Sequence, residues 1–452
     1  MILLSGCGRD ASKLDWSRSS LVEMRRIMSK ISKILLLAVS VVLVLTVFLG
    51  VNSSGVSAAT SGQDGAYRQI EVYTEVMHHI QQDYVTDPNI TEVTNGALRG
   101  LLESLDADSS YLTAADYKIY KAGGGLAQRS KVAQAGINVS KRYGYATVVS
   151  VVPASAADKA GLVDGDIVEA IDGHDTRNLS LAMIQRMLEG SAGSTLTLGV
   201  VGHDGKAEPN KISMTRAQTV VPPVVDYLPP VVDQLYENTS ILYLKPEILD
   251  HDHVQQVEAK LKGMQKAGNK KVLLDLRDAS AGDMAEATRL ANFLLKDGTI
   301  ATLEGQKFAK QVFAVDREKT INATAPVVVL VNRGTAGPAE LVAAALGDNK
   351  RAEVVGEKTF GEGTEQKTFE LPDGAALILT VAKYESPLGK KIQDDGVTPQ
   401  VVIASVVDDQ AGVEDAAQVP TATAARAPVK KQAPQVDLQL TKALDILKGK
   451  TA

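Results

Sequence analysis

The sequence predicts an α+β multidomain protein behind an N-terminal membrane helix. Three observations carry that reading. Residues 130–217 are short apolar runs broken by turns, residues 218–405 alternate strand-like and helix-like segments, and Ile34–Val51 is an uncharged apolar run of 18 residues. The 452 residues are enough for two or three domains. A hydrophobic share of 44% and a charged share of 23% fit neither a disordered chain nor a many-span membrane protein. The net charge of −6 offers no field that would gather phosphates, so no nucleic-acid partner is expected.

The uncharged run is just long enough to cross a hydrocarbon core. Arg25, Arg26, Lys30 and Lys33 precede it, and no basic residue follows before Arg68. The positive-inside rule then leaves residues 1–33 in the cytoplasm and exports the rest. The chain is thus expected in the inner membrane, single-pass, with its bulk on the periplasmic or extracytoplasmic side. A cleaved signal peptide ending at Val56-Ser57-Ala58 is the other reading of the same run, and both export residues 60–452. The one cysteine, Cys7, rules out a disulfide framework. It follows Leu3-Leu4-Ser5-Gly6, but no basic or apolar run stands before it, so lipidation is not expected.

Residues 67–122 read as helices, because Ile70, Tyr73, Val76, Met77, Ile80 and Tyr84, then Leu98, Leu101, Leu102 and Leu105, recur at helical spacing. Asp87-Pro88 separates the two runs, and Gly123-Gly124-Gly125 marks a linker. In 218–405, Ile241–Leu244, Lys271–Leu276 and Val327–Val331 read as strands, the last with five apolar residues in succession, as in a sheet covered on both faces. Helices are expected at His253–Met264, Asp283–Leu295 and Pro338–Leu346. Residues 406–434 are a Pro/Ala/Val-rich linker, and 436–449 hold a short amphipathic helix. His251 and His253 form a His-x-His without a third ligand nearby; they read as solvated loop or helix-start residues, and no metal or other cofactor is expected.

The stretch Ala160-Gly161-Leu162-Val163-Asp164-Gly165-Asp166-Ile167-Val168-Glu169-Ala170-Ile171-Asp172-Gly173 resembles a bacterial PDZ domain. Such a module adds a peptide as a strand beside a sheet edge and holds its terminal carboxylate on backbone amides. The resemblance makes Ala135, Gly136, Ile137, Asn138 and Val139 the candidate carboxylate loop, with Asn138 where the family more often has glycine.

Three later stretches each follow a buried strand, where α/β folds place their sites. They are Asp275-Leu276-Arg277-Asp278-Ala279-Ser280-Ala281-Gly282, Val331-Asn332-Arg333-Gly334-Thr335-Ala336-Gly337-Pro338-Ala339-Glu340 and Gly356-Glu357-Lys358-Thr359-Phe360-Gly361-Glu362-Gly363-Thr364-Glu365-Gln366. Asp275 and Arg277 read as an ion pair at a strand end. With Gln82-Asp83-Tyr84-Val85, Ser109–Thr113 and Gly396-Val397-Thr398-Pro399, these loops resemble the carboxyl-terminal processing peptidases, or tail-specific proteases. The resemblance implies a crotonase-like α/β peptidase domain, with a serine nucleophile, a lysine base and a supporting glutamine.

Position by position, Gly337 stands where that family has its serine and Glu362 where it has its lysine; the glutamine is present as Gln366. The oxyanion region maps to Ala281 and Gly282, and Pro338 lacks the N–H that follows the nucleophile. A site shifted to Thr335 with Lys358 as base is the fallback. The expectation is therefore a peptidase homologue that binds C-terminal tails of exported proteins without cleaving them. It is open to self-association or to assembly with an active relative. The alternative is an active serine-type or threonine endopeptidase cleaving envelope proteins near their C-termini.

Overall fold

The computed structural model describes residues 61–123, 134–142, 144–202, 210–218, 220–229, 240–264, 266–404 and 437–450. The expected membrane segment at 34–51, Cys7, the Val56–Ala58 cleavage site and the linker at 406–434 lie outside the described residues. Among the described residues no helix is long and apolar enough to cross a membrane.

The chain divides into two units, 1–90 and 91–452. In the first, α1 (Ser61–Asp83) carries Tyr67, Ile70, Tyr73 and Val76 on its exposed surface. The second begins within the first turn of α2 (Ile90–Glu103), whose Leu102 is buried with Tyr111 and Ala375. A stretch expected to be helical is instead a strand, β1 (Ser110–Leu112), before α3 (Ala114–Ala122). All three residues of β1 are buried, and they pair with 376–378 far along the chain. That long-range pairing overrides the local helical pattern.

The smaller domain is a sheet of β2 (Ile137–Arg142), β3 (Tyr145–Val151), β4 (Ile167–Ile171), β5 (His174–Asp175), β6 (Thr195–Val201) and β7 (Asn210–Thr215). The order is β2-β3-β4-β6-β7, with β5 paired to β4. Its longer α-helix, α4 (Leu181–Leu188), is capped by Ser180 and inserts Leu181, Ile184 and Leu188 into the core. β2 is the edge strand beside it.

The larger domain contains β8 (Ile241–Leu244), α5 (His251–Gly263), β9 (Lys271–Asp275), α6 (Met284–Leu294), β10 (Thr299–Glu304), β11 (Gln311–Ala314) and β12 (Val327–Val331). α7 (Pro338–Asp348), β13 (Ala352–Gly356), β14 (Thr364–Glu370), β15 (Ala376–Glu385), β16 (Val401–Val402) and α8 (Leu438–Gly449) follow. A parallel sheet runs β16-β13-β12-β9-β8. On β12, Val327, Val329 and Val331 face α5, α6 and α7, while Val328 and Leu330 face α8. Burial on both faces is why that strand shows no alternation. β1, β15, β10 and β11 form an antiparallel sheet, with β14 paired to β15.

The two histidines of the His-x-His part company. His253 is buried rather than solvated: its Nδ1 lies 2.6 Å from Asp250 Oδ1 and its Nε2 3.0 Å from the Pro222 carbonyl. His251 is exposed and meets Glu286 at 3.1 Å.

Candidate functional site at the ends of the parallel strands

The three loops leave the C-terminal ends of β9, β12 and β13 and are laced together. Asn332 donates from Nδ2 to Asp278 Oδ1 at 2.7 Å and accepts the Asp278 N–H at 2.9 Å. Ala336 N–H donates to the Ala279 carbonyl at 3.0 Å, and Phe360 N–H to the Thr335 carbonyl at 3.0 Å. Thr335 is fully buried, and its hydroxyl donates to the Leu276 carbonyl at 2.8 Å. Lys358 is exposed. The fallback pair is thus divided between core and surface, with the Thr335 hydroxyl already engaged in the loop framework.

Gly337 caps α7 with φ 57° and ψ −118°. That backbone favours glycine; a residue with a Cβ is strained there by about 1–3 kcal/mol. A Cβ at Gly337 would meet nothing within 4 Å. The position therefore has the space for a side chain, and a conformation that aims one away from the core, but no side chain. Pro338 fits the first turn of α7, where its fixed φ suits the helix and its missing N–H breaks no helical bond.

One residue holds this loop to the next. Glu340, fully buried, accepts the N–H of Gly337 at 2.9 Å, of Gly361 at 2.7 Å and of Glu362 at 2.8 Å. The Thr359 hydroxyl donates to it as well. Burial pushes its carboxyl up to about 7, against the four donors that favour the charged form. Gly337 is a local partner, three residues before it, but the other three donors lie 19 or more residues along the chain, so the sequence does not show that Glu340 ties the two loops together.

Glu362 and Gln366 line a common cavity of about 310 Å³. Its wall also holds Asp108 from the turn before β1, Gly282, Thr364, Glu365 and Ile378 from the large domain, and Leu181, Ala182 and Gln185 from α4. Opposite Glu365 and Gln366 the pairing shifts register, with Val381 of β15 as the extra, bulged residue. The Gln366 amide donates to the Asp108 carbonyl at 3.4 Å, and the Thr364 hydroxyl to Asp108 Oδ2 at 3.0 Å. The described lining has three carboxylates and no lysine or arginine. Gly282, with φ 132°, lies against the Leu249 backbone, where its neighbour Ala281 accepts the Leu249 N–H at 2.9 Å. Gly337 is not among the residues lining this cavity.

The ion pair at the end of β9 is as expected. Asp275, fully buried, meets Arg277 through two bonds of 2.9 and 2.7 Å and accepts the Tyr243 hydroxyl at 2.9 Å. Arg277 reaches on to Asp437 at 2.7 Å, so the start of α8 is tied to the root of the first loop.

In the smaller domain, Gly136 takes φ 85° at the start of the candidate carboxylate loop and packs against Ser155. Ala135, Ile137 and Val139 are buried in the core. Asn138 instead points out of the domain, donating to Ser280 Oγ at 2.6 Å. Gln185 of α4 donates to the Val139 carbonyl of β2 at 3.5 Å.

Known proteins resemble both domains. Residues 240–403 match peptidase family S41, and residues 147–202 match the PDZ domain. The chain is 31% identical to carboxyl-terminal-processing peptidase 2, chloroplastic, of Arabidopsis thaliana over 69% of its length. It is 35% identical to a carboxyl-terminal-processing protease of Picosynechococcus sp. over 59% of its length. It spans 60% and 63% of the lengths of those two relatives. A solved photosystem II D1 C-terminal processing protease shares the fold, with a TM-score of 0.59 over 74% of this chain and 92% of that one at 24% identity. With both domains matched in order and relatives of this one kind, the chain belongs to the carboxyl-terminal processing peptidase family, a PDZ domain joined to a family S41 peptidase domain.

Proposed function

We propose that this chain is a tail-binding member of its family that has lost peptide-bond cleavage. The observation that carries this is Gly337: the nucleophile position keeps its strained backbone and its open space but has no atom with which to attack. Three further features agree. Glu362 sets a carboxylate where the family's base is a lysine, and negative charge there opposes a developing oxyanion. Pro338 withholds the N–H that follows the nucleophile position. Thr335, the nearest hydroxyl in the loop, is sealed in the core.

The retained function is recognition. Edge strand β2 and α4 flank the groove in which a PDZ domain takes a free C-terminus, and the α4 face continues into the cavity at Glu362 and Gln366. The partners are C-terminal tails of exported proteins. The basic residues before Ile34–Val51 support a single-pass inner-membrane anchor with both domains outside.

The test is to incubate the purified full chain with an unstructured protein substrate and a serine-reactive probe, and to titrate peptides with free and amidated C-termini. The expected result is no cleavage, no labelling, and binding that requires the free carboxylate. Cleavage or labelling would contradict the loss of activity; equal binding of amidated peptides would contradict tail recognition.

A further inference from the structure

Two buried hydroxyls beside the cavity have no use in the function above. Ser110 of β1 is fully buried, and its Oγ has no hydrogen-bond partner among the described residues. Ser180, at the cap position of α4, is 2% exposed; its Oγ makes no capping bond and has no other partner there. Burying a hydroxyl without a partner is costly, so each such group calls for an explanation.

Both border the same space. Ser110 pairs with Ile378 across the sheet, which sets the two side chains together on one face. Leu112, two residues on, shares that face and packs against Ile378 and Ala182. Ile378 and Ala182 are both cavity wall, so the Ser110 hydroxyl is aimed at that wall. Ser180 directly precedes Leu181 and Ala182, which form the side of the cavity contributed by α4.

The rest of the wall sets the charge of what fits. Asp108, Glu362 and Glu365 bring up to three negative charges, against roughly half a positive charge from the start of α4. A cation is therefore favoured. A metal ion needs its ligands drawn to one point. Among the described residues no three carboxylates or histidines are gathered closely enough to hold one. Acceptors spread along a cavity of about 310 Å³ suit a longer organic cation instead. A lysine ammonium has three N–H donors and an arginine guanidinium five, with no acceptor on either, and carboxylates and serine hydroxyls can take them all.

We propose that this cavity is a specificity pocket for one basic side chain, lysine or arginine, of a bound C-terminal tail. Asp108, Glu362 and Glu365 pair its charge, and the Ser110 and Ser180 hydroxyls accept its N–H groups. This rests on the tail-binding reading and names the class of tail. Glu362, at the position of the family's base, then serves recognition rather than proton transfer.

The experiment uses the full chain in detergent and fluorescence titration of an unstructured alanine–serine peptide with a free C-terminus. One lysine is moved through the peptide position by position, with glutamine at the same position as control. The expected result is one position at which lysine binds about tenfold more tightly than glutamine, the weight of a hydrogen bond to a charged group. Combining Glu362→Gln with Glu365→Gln abolishes that preference and leaves the affinity of the glutamine peptide unchanged. Ser110→Ala lowers the preference about fivefold, the weight of one neutral hydrogen bond, yet raises the Tm of the free chain by removing a buried unpaired hydroxyl. A Ser110 that merely supports the fold would do the opposite, lowering Tm and leaving the preference intact.

Equal binding of lysine and glutamine peptides at every position would overturn the pocket and leave tail binding standing. A lysine preference that survives the double substitution would place the cation elsewhere and overturn it as well. No binding of any peptide, or equal binding of amidated peptides, would overturn tail binding and the pocket with it. The two failures are thereby distinguished.

Discussion

Gly337 and Glu362 donate their backbone N–H groups to the same oxygen, Oε2 of Glu340, at 2.9 and 2.8 Å. The two positions proposed for nucleophile and base are thus held together through one carboxylate oxygen of Glu340, whatever their own side chains. The folded value of the Glu340 carboxyl, about 7, lies above its ordinary 4.5. The folded chain keeps this proton in a range where the unfolded chain has released it. Stability from this group is therefore full below pH 4.5 and is lost as the pH rises through 7. Glu340→Gln is expected to remove that slope, worth about 3 kcal/mol across the window. It also destabilises at every pH, because a carboxamide cannot accept all four donors. Urea denaturation from pH 4 to 8 checks both; an unchanged slope contradicts the assignment.

Gly337→Ser has space to fit, since no atom lies within 4 Å of the added Cβ. It is expected to fold and to lose about 1–3 kcal/mol to the positive φ. Pairing it with Glu362→Lys supplies both side chains of the family's reaction, yet turnover should stay feeble while Pro338 denies the next N–H. Adding Pro338→Ala is expected to raise kcat by about 10²–10³, the worth of one oxyanion donor. Stopped assays on an unstructured substrate measure each step. Equal rates with and without Pro338→Ala would contradict the oxyanion account.

Much of this site was legible in the sequence, but unevenly. The continuous run Val327–Val331 announced a strand buried on both faces, and the loop after it placed Gly337. Ser110–Leu112 was misread as helix because its pairing with 376–378 has no local signal. Asp108 and Ser280 gave no hint of their roles, and Glu340 none of its tie to the third loop, since those partners lie in distant loops or in the other domain. Motifs report the residues a loop aims at substrate; they do not report what holds the loop.

The Asp275–Arg277 pair anchors the first loop and α8 together. Burial alone pushes the Asp275 carboxyl up, and the charge and hydrogen bonds of Arg277 more than reverse this, holding it below its ordinary 3.8. Its contribution is present above that pH and is lost as the solution becomes more acid. Arg277→Ala leaves a buried carboxylate without its cation and is expected to cost about 3–5 kcal/mol. It also frees Asp437, so hydrogen exchange in 438–449 should rise well before global unfolding. Exchange in α8 that matches the parent would contradict the anchoring role.

Intact-mass spectrometry of an unstructured protein substrate, held overnight with the purified full chain, tests the absence of cleavage most directly. The account predicts a single unchanged substrate mass, with the same protein retained on the chain through its free C-terminus. Accumulating fragments cut near that terminus would contradict it.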